Sequence, residues 1–418
     1  MKAERLPDVR MRGFTRRVDV DFVQERIRAL TEPLAPEPVP LLQAAGRVLT
    51  QDVRSPIAVP PFVRSAMDGY ALRGEETFGA GDYNPLYFKV IGEVTPGRFF
   101  PRPVAPGEAV RIMTGAPLPD GADAVLMAEN ARESGGTVAA TEPVAPGKNL
   151  GRIGEDIRAG DMVFPAGRRL RPQDLGVLAS IGAGTAQVHR RPRVRLLITG
   201  NELLQPGEMP AGAMIVDSNS VMLAALAGRD GGAIESIQHL PDERERIRAA
   251  LLAPGADLIV TTGGSSVGIE DHAPGLVGEE GELLVHGVSM RPSAPTGMGT
   301  LGQTLVFLLP GNPVSCLAAY DFFVGLAIRR LAGLPEGWPY ALRRVRLKER
   351  IASQIGRVDY ARVRLEGDGA VLLATSGASV LSSTTRADGF VVVPRDSEGI
   401  PAGAEADVWL YDPPVGWP

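Results

Sequence analysis

The sequence has few of the residues that bind transition metals or form disulfides. It contains one cysteine, Cys316, and four histidines in 418 residues. One cysteine cannot form a disulfide within the chain, a zinc ribbon or an iron–sulfur cluster. The histidines lie far apart in the sequence, which argues against a histidine-rich catalytic metal site. Any metal bound by this chain is therefore expected to be a hard cation held by carboxylates and phosphates.

Other absences narrow the possible classes of function. The formal net charge of −5 gives no global electrostatic reason to bind nucleic acid. No apolar run reaches the roughly 18 residues of a membrane span, and the longest candidate, 314–328, is interrupted by Asp321. Residues 1–17 are charged and lack the apolar core of a signal peptide. We therefore expect a cytoplasmic protein that binds neither nucleic acid nor membranes.

What the chain has in abundance is glycine, proline and arginine. The 50 glycines and 36 prolines are scattered rather than repeated, which indicates many tight turns. Four of the 44 basic residues are lysine and the rest are arginine. At ~150 residues per domain, the length suggests roughly two to four domains.

The pattern of apolar residues changes along the chain. Short apolar runs between Gly/Pro turns predict a small strand-built domain over 56–147. From residue 191, strand-type runs alternate with helical ones, which predicts an open parallel sheet with helices on both faces. From residue 338 the pattern is all-β and predicts a small barrel or sandwich. In the 191–333 region the predicted strands are 194–198, 234–238, 257–262, 283–288 and 305–309, and the predicted helices are 219–228, 242–252 and 313–332.

Three carboxylates follow successive strands of the predicted parallel sheet. These are Glu202, Asp242 and Asp271, and two Gly-rich loops, 261–272 and 308–315, follow strands of the same sheet. Ligands bind at the carboxyl ends of such strands. Glycine lets backbone N–H groups approach a phosphate, and a cation such as Mg²⁺ is needed between phosphates and carboxylates. The set predicts an anion–metal site, although Glu202 and Asp242 taken singly are also compatible with helix caps.

A second concentration of polar residues lies in the strand-built region. The run 60–72 contains Asp68, and the run 111–125 contains Thr114, each within an apolar and turn-rich stretch. From chemistry alone, both are compatible with turn-forming residues that bond to their own backbone. Cys316 falls on an apolar helix and is expected to be structural.

Six motifs occur in one order along the chain and together carry a family resemblance. They closely resemble the molybdopterin molybdenumtransferases, the family that includes the gephyrin E domain, over nearly all of residues 18–411. The motifs are SAMDGYA (65–71), RIMTGAPLP (111–119), GEDI (154–157), TGNEL (199–203), GGSSVGIED (263–271) and LPGNPVS (309–315).

The resemblance implies a reaction and an assembly. Family members insert molybdenum from molybdate into adenylylated molybdopterin in the presence of Mg²⁺, and AMP leaves as the molybdenum cofactor is released. The implied assembly is an elongated homodimer whose active site lies between subunits. Asp68 and Thr114 of one chain would then face Glu202, Asp242 and Asp271 of the other. Transient contacts with a molybdopterin adenylyltransferase and with molybdoenzymes are also implied.

The implied fold is multidomain, combining α/β and β-rich domains. It comprises a doubly wound parallel α/β domain, a β-rich N-terminal domain and a small C-terminal β-barrel. The expected boundaries are 14–55 with 148–190 for a discontinuous linker and dimerisation domain, 56–147 for the β-rich domain, 191–335 for the molybdopterin-binding α/β domain, and 336–418 for the barrel.

The resemblance also assigns roles to individual residues. Asp271, Asp242 and Glu202 would hold the metal and act on the pyrophosphate, with Asp68 and Thr114 as further catalytic residues. The molybdate pocket would contain Ser315, a cationic segment at Arg291–Pro295, and a C-terminal arginine and serine matched to Arg357 and Ser382. The remaining substrate-binding assignments are Gly263, Gly264, Ser266, Gly268, Pro310, Gly311, Asn312, Pro313 and Asp156.

The chain departs from the family where a K-P-G-K-P segment is usual. It has Arg291-Pro292-Ser293-Ala294-Pro295 there. Arginine keeps the charge of the first lysine, although a planar guanidinium donates differently from an ammonium. Alanine has neither charge nor donor, so either another arginine compensates or the protein is a weakened or specialised relative.

Three functions therefore remain open from the sequence. An active molybdenumtransferase is favoured by the acidic set of Glu202, Asp242 and Asp271. A non-catalytic binding or scaffold protein is favoured by Ala294. An adenylyltransferase that makes the adenylylated intermediate would share the α/β domain, but segments 1–190 and 338–418 fit the transferase better.

Overall fold

The computed structural model describes residues 17–263 and 271–412, which form two compact units. The first, here called the α/β unit, contains the described residues of Met1–Glu37, Gly46–Val48 and Val188–Pro418. The second, here called the N-terminal unit, contains Pro38–Ala45 and Leu49–Gln187. Throughout the described ranges, every helix is too short or too polar to cross a lipid bilayer.

A six-stranded sheet organises the α/β unit. In chain order its strands are β1 (Arg193–Thr199), β2 (Ala233–Leu240), β3 (Leu258–Thr262), β4 (Glu282–His286), β5 (Gly297–Leu301) and β6 (Thr304–Leu309). Their spatial order is β2-β1-β3-β6-β5-β4. The first four of these pair in parallel, whereas β5 is antiparallel to both of its neighbours. The carboxyl ends of β2, β1 and β3 therefore lie side by side.

Strand β5 is the one element of this sheet that the sequence pattern does not predict. Its sequence, GMGTL, has two glycines and no strand-like run. In the structure a Cβ on Gly299 would lie 2.5 Å from the carbonyl oxygen of Glu282. Glycine is thus required for the close approach of β5 to β4. The expectation of an entirely parallel sheet is corrected at this edge.

Helices cover both faces of the sheet. Helices Val20–Leu30 and Asn219–Arg229 pack on the face that buries Leu196 and Ile198. Helices Arg244–Leu252 and Ala273–Glu280 pack on the opposite face. Side chains of a strand alternate between faces, so a strand buried on both faces reads as a continuous apolar run. The predicted doubly wound α/β fold is confirmed.

The helix predicted over 313–332 forms, but with an interruption. It comprises Pro313–Ala319, a π-helical turn Tyr320–Val324, and Gly325–Leu331. The π turn contains the fully buried Asp321, whose carboxylate accepts hydrogen bonds from the Tyr340 hydroxyl (3.0 Å) and the Arg229 guanidinium (3.3 Å). Burial raises the pKa of Asp321 to about 6.

The C-terminal part of the α/β unit is a closed five-stranded barrel. Its apolar core is filled by aliphatic side chains, including Ile351, Val363 and Val408. Tyr360 stacks on Phe390 with ring centroids 4.3 Å apart, within an aromatic group that packs against the α/β core. Of the two predicted options, barrel and sandwich, the barrel is found. Its strands are Ala341–Leu347, Val358–Glu366, Gly369–Ala374, Gly389–Val393 and Glu405–Leu410.

The N-terminal unit is built on a separate six-stranded sheet, as the β-rich pattern of 56–147 predicts. In spatial order its strands are Ala124–Met127, Gly69–Leu72, Glu108–Ile112, Leu86–Val94, Thr137–Ala140 and Ala131–Ser134. Helix Pro172–Ser180 and the short strand pairs Arg64–Ser65 with Leu150–Gly151 and Val53–Arg54 with Met162–Phe164 complete the unit. The four-domain boundaries stay predictions.

Candidate functional site

Three predicted carboxylates follow three adjacent strands of the α/β sheet. Glu202 follows β1, Asp242 follows β2, and Asp271 comes after β3. The turns after β1 and β2 are bonded to each other: Asn201 N–H donates to Asp242 Oδ2 (3.1 Å), and Asp242 N–H donates to Asn201 Oδ1 (3.2 Å). We call this group of carboxylates the acidic edge.

The structure does not support helix capping by these residues. Glu202 is followed by a short strand, Leu203–Leu204, and not by a helix. The helix after Asp242 has Glu243 at its N-cap position, with no side-chain cap bond. The carboxylate of Glu202 folds back over its turn, since a Cβ on Gly200 would lie 2.8 Å from Glu202 Oε2.

The carboxylates of the acidic edge do not form a ready-made metal cage. Within residues 17–263 and 271–412, no three His, Cys, Asp or Glu side chains are grouped closely enough to hold a metal ion by themselves. Mg²⁺ is commonly held by one or two protein carboxylates together with substrate phosphates and water. The arrangement suits a cation that arrives with a phosphorylated ligand.

Two predicted loops meet beside the acidic edge. Gly263 has φ +86°, and a Cβ on it would lie 2.1 Å from the carbonyl oxygen of Thr199, so only glycine fits. A Cβ on Gly311 would lie 3.6 Å from the Cα of Gly263. The two loops are therefore in contact. Three other assigned residues of the first loop, Gly264, Ser266 and Gly268, lie outside the described residues.

Asn219 joins these loops and was missed from the sequence. Its Nδ2 donates to Gly311 O (2.8 Å) and to Thr262 Oγ1 (2.9 Å). Its Oδ1 is buried and has no hydrogen-bond partner among the described residues. Asn219 is the first residue of helix Asn219–Arg229. Asp217 Oδ1 accepts the N–H of Asn219 (2.8 Å), and Asp217 Oδ2 contacts His239 Nε2 (2.9 Å). The sequence signal that could have identified Asn219 is the run Asp217-Ser218-Asn219 at the start of the helix.

A cavity of about 380 Å³ lies next to the same loop. Six predicted residues line it: Arg291, Pro295, Pro310, Asn312, Ser315 and Arg357. Gly311 and Pro313 complete the loop, but their atoms are not in the cavity wall. The barrel contributes residues 376–378, and the carbonyl of Ala378 accepts the N–H of Val314 (2.9 Å). We call this pocket the cationic cavity.

A buried carboxylate orients two of the arginines in the cationic cavity. Asp359 is fully buried and accepts hydrogen bonds from Arg291 (2.5 Å), Arg357 (3.0 Å) and the Ser353 hydroxyl (2.8 Å). Backbone pairing of Arg291 with Asp359 holds the same contact. Asp359 was not predicted, although it lies two residues after Arg357, at the start of strand Val358–Glu366.

The structure places a different serine in the cavity from the one assigned from the sequence. Ser382, matched to the molybdate pocket, begins the short helix Ser382–Thr385, is exposed and does not line the cavity. Ser376 lines it instead. Ala294, the departure from the usual lysine, does lie in the cavity wall. Neighbouring Ser293, at φ +96°, donates its hydroxyl hydrogen to Ser315 O (2.6 Å).

In the N-terminal unit, the two residues that sequence chemistry left unexplained are bonded to each other. Asp68 Oδ1 accepts hydrogen bonds from the Thr114 N–H (2.7 Å) and hydroxyl (2.8 Å). These bonds lower the pKa of Asp68. Both residues are exposed, and so is Asp156. The segments that contain Asp68, Thr114 and Asp156 lie next to each other. Ser65, near Asp68, pairs with Leu150, and its N–H donates to the carbonyl oxygen of Ala116.

The single cysteine has the structural setting expected of it. Cys316 is buried in helix Pro313–Ala319, and burial raises the pKa of its thiol to about 12. A thiol with such a pKa carries almost no thiolate near neutral pH and is therefore a poor nucleophile.

Three family models match the chain in succession. They are the MoeA N-terminal region (domain I and II) over residues 18–182, a probable molybdopterin binding domain over 195–330, and the MoeA C-terminal region (domain IV) over 344–411.

Similar proteins match most of the chain. Molybdopterin molybdenumtransferase 2 of Mycobacterium tuberculosis (strain CDC 1551 / Oshkosh) is 36% identical over 93% of this chain and 98% of its own length. Molybdopterin molybdenumtransferase of Staphylococcus aureus (strain COL) is 30% identical over 93% and 95%. The crystal structure of the molybdopterin biosynthesis MoeA protein from Pyrococcus horikosii matches with a TM-score of 0.79 and 33% identity, covering 96% of this chain and 100% of that one. The chain belongs to the molybdopterin molybdenumtransferase family and is an enzyme of molybdenum cofactor biosynthesis.

Proposed function

We propose that this protein transfers molybdenum from molybdate to adenylylated molybdopterin in an Mg²⁺-dependent reaction that releases AMP. The observation that supports this most directly is a shared loop. Pro310 and Asn312 line the cationic cavity, while Gly311 between them lies so close to the loop after β3 that a Cβ on it would be 3.6 Å from the Cα of Gly263. An oxyanion in the cavity and a pyrophosphate at the acidic edge would thus lie on two sides of one loop.

The donor chemistry of the acidic edge fits a hard divalent cation. Glu202 and Asp242 lie on two bonded turns, with Asp271 after the next strand, and all three supply carboxylate oxygens. Bound there, Mg²⁺ would offset the negative charge of the substrate pyrophosphate. Asn201 keeps the Asp242 carboxylate in position by donating its N–H, while Gly263 lets the loop pack closely against Thr199 at the end of β1.

The cationic cavity would bind molybdate as a substrate. Arg291 and Arg357 present guanidinium groups whose orientation is fixed by Asp359, so little ordering is needed when an oxyanion binds. Nε of Arg291 is buried and has no hydrogen-bond partner in the described part of the chain. A bound oxyanion would accept a hydrogen bond from it.

Asp68 and Thr114 enter the proposal through a homodimer. Their hydrogen bonds hold an exposed carboxylate at the surface of the N-terminal unit, and we propose that it completes the acidic edge of a second subunit. Mixing Asp68→Asn with Asp271→Asn subunits tests this. Activity should return to about a quarter of the parent level, because half of the dimers are mixed and each of those has one intact site. Two inactive variants that stay inactive after subunit exchange would exclude a shared site.

The reaction itself is tested with purified protein and adenylylated molybdopterin. AMP release, followed by chromatography, should require both molybdate and Mg²⁺. The absence of AMP at saturating molybdate would overturn the proposed transfer and favour a binding or scaffold role. Formation of adenylylated molybdopterin from ATP and molybdopterin would instead identify an adenylyltransferase. A cytoplasmic location, and contacts with an adenylyltransferase and with molybdoenzymes, stay predictions.

A further inference from the structure

One of the positive charges around the cationic cavity comes from a residue outside the six sequence motifs. Three arginines line the cavity: Arg291, Arg357 and, from the start of the described chain, Arg17. Asp359 contacts the first two, so these three residues together contribute one net positive charge. With Arg17 the cavity carries two. Molybdate is a dianion, and it is matched only if Arg17 is counted.

The backbone beside Arg17 is held against the segment that forms the cavity wall. Val18 N–H donates to Gly287 O (3.1 Å), and Val18 O accepts from Ser289 N–H (2.8 Å), which forms a parallel bridge to Val288. That bridge lies immediately before Met290 and Arg291 of the wall. Arg17 is thus positioned by two backbone hydrogen bonds next to the segment in which alanine replaces the usual lysine.

The three arginines differ in how their charge is compensated. Arg291 and Arg357 contact a buried carboxylate, and their side chains are 31% and 24% exposed. Arg17 is exposed and makes no ion pair with any residue in the described ranges. A guanidinium without a carboxylate partner keeps its full charge and all its donors for an anion.

We propose that Arg17 is an oxyanion-binding residue of the cationic cavity and supplies the positive charge that Ala294 lacks. This inference rests on the proposed function of the cavity as the molybdate site. Because a guanidinium offers several donors in a plane, Arg17 can donate to two oxygens of a tetrahedral anion in the cavity. The residue lies outside the six motifs, which begin at Ser65.

Isothermal titration of the full-length protein with molybdate, and with tungstate as a second tetrahedral dianion, tests Arg17 without relying on catalysis. Arg17→Gln should weaken the binding of both by about tenfold or more, as expected for a lost charge-assisted hydrogen bond. Arg17→Lys should retain most of the affinity. Arg26→Gln is the matched control, since Arg26 is an exposed arginine on helix Val20–Leu30 outside the cavity, and its loss should leave affinity unchanged.

A compensating variant separates this inference from a general charge effect. In Arg17→Gln/Ala294→Lys, the lysine should restore affinity to within about threefold of the parent, because one cation of the cavity wall is exchanged for another. Equal binding by the parent and Arg17→Gln would overturn the role of Arg17 and leave the proposed function intact. A parent protein that binds neither anion would overturn the cavity as the molybdate site, and the role of Arg17 with it.

Discussion

The acidic edge and the cationic cavity lie in one unit and differ in where their balancing charge comes from. The cavity contains its own counter-charge, since fully buried Asp359 contacts Arg291 and Arg357. At the acidic edge, the Asp242 carboxylate accepts the backbone N–H of Asn201, and the Asp242 N–H donates to the side-chain amide oxygen of Asn201. A carboxylate paired with arginines fixes their geometry, whereas carboxylates on backbone turns suit an external cation.

This difference explains why the two sites need different support from the fold. The acidic edge follows adjacent parallel strands, so strand order alone places the turns of Glu202 and Asp242 side by side, with Asp271 after the next strand. The cavity needs contacts between residues more than sixty positions apart, such as Arg291 with Asp359. Changes at the edge should therefore affect catalysis with little effect on folding, and changes at Asp359 should affect folding first.

The largest expected effect comes from removing a charge at the acidic edge. Asp271→Asn keeps the shape of the side chain and should lower AMP release by at least about a hundredfold, because the charge that balances the cation is lost. The melting temperature should stay within a few degrees of the parent. Glu243→Gln is the control: Glu243 is exposed, pairs with Arg246 (2.9 Å) and should be dispensable. Parent-level activity in Asp271→Asn would show that the metal site lies elsewhere.

Removing the buried carboxylate of the cavity should have the next largest effect, this time on stability. Asp359→Asn leaves two partly buried guanidinium groups without a counter-charge and should lower the free energy of unfolding by about 3 kcal/mol or more. Urea denaturation measures this directly. Asp407→Asn removes one partner of an exposed pair with Arg344 (3.2 Å) and should cost no more than about 1 kcal/mol. Similar stability of the two variants would mean that Asp359 does not hold the arginines.

Asp321 shows what happens when burial outweighs pairing. Its pKa is raised from 3.8 to about 6 by burial, so between these values the folded protein keeps a proton that the unfolded chain has released. The free energy of unfolding should therefore fall as pH rises through this window. Asp321→Asn removes this dependence, and its stability relative to the parent should increase by at most about 3 kcal/mol from pH 4 to pH 7. Urea denaturation measures the free energy of unfolding of both proteins across that range. A difference between them that does not change with pH would show that the pKa of Asp321 is not raised.

The smallest expected effect is a gain at the cavity wall. Ala294→Lys adds a cation that faces the oxyanion and should tighten molybdate binding by about fivefold to tenfold, less than if Arg17 were absent. Ala294→Met adds similar length without charge and should give no gain. An unchanged affinity in the lysine variant would indicate that position 294 does not reach the anion.

Much of the fold and part of the site could be predicted from the sequence. The long apolar runs of β1, β3 and β6 identified a sheet buried on both faces, and the position of Glu202, Asp242 and Asp271 after strands placed them at one edge. Strand β5 escaped prediction because its glycines are selected by the backbone of β4 and not by side-chain pattern. The π turn at Tyr320–Val324 has no local signal either.

Several residues of the site act through partners that are distant in sequence, so their local sequence does not show what they contact. Asp68 and Thr114 are 46 positions apart, and their chemistry is evident only once the carboxylate accepts both bonds from the threonine. In the sequence Asp359 is one polar residue of a strand, and its role becomes evident only from its contact with Arg291. The choice between Ser376 and Ser382 depends on where a short helix begins, which sequence spacing does not determine.

The hairpin between β4 and β5 carries one wall of the cationic cavity, and this wall is also tied to the barrel by the pairing of Arg291 with Asp359. Its ends are joined by the pairing of His286 with Gly297, and residues 287–296 between them carry the whole Arg291–Pro295 segment. The turns of the acidic edge differ in this respect, because each follows a strand of the parallel sheet, and the turn with Glu202 leads into the short strand Leu203–Leu204. A transplanted hairpin, by contrast, would begin and end at the same two paired residues. A hairpin of another sequence could therefore be joined at His286 and Gly297 to vary this wall of the cavity, provided that it keeps the contact of Arg291 with Asp359.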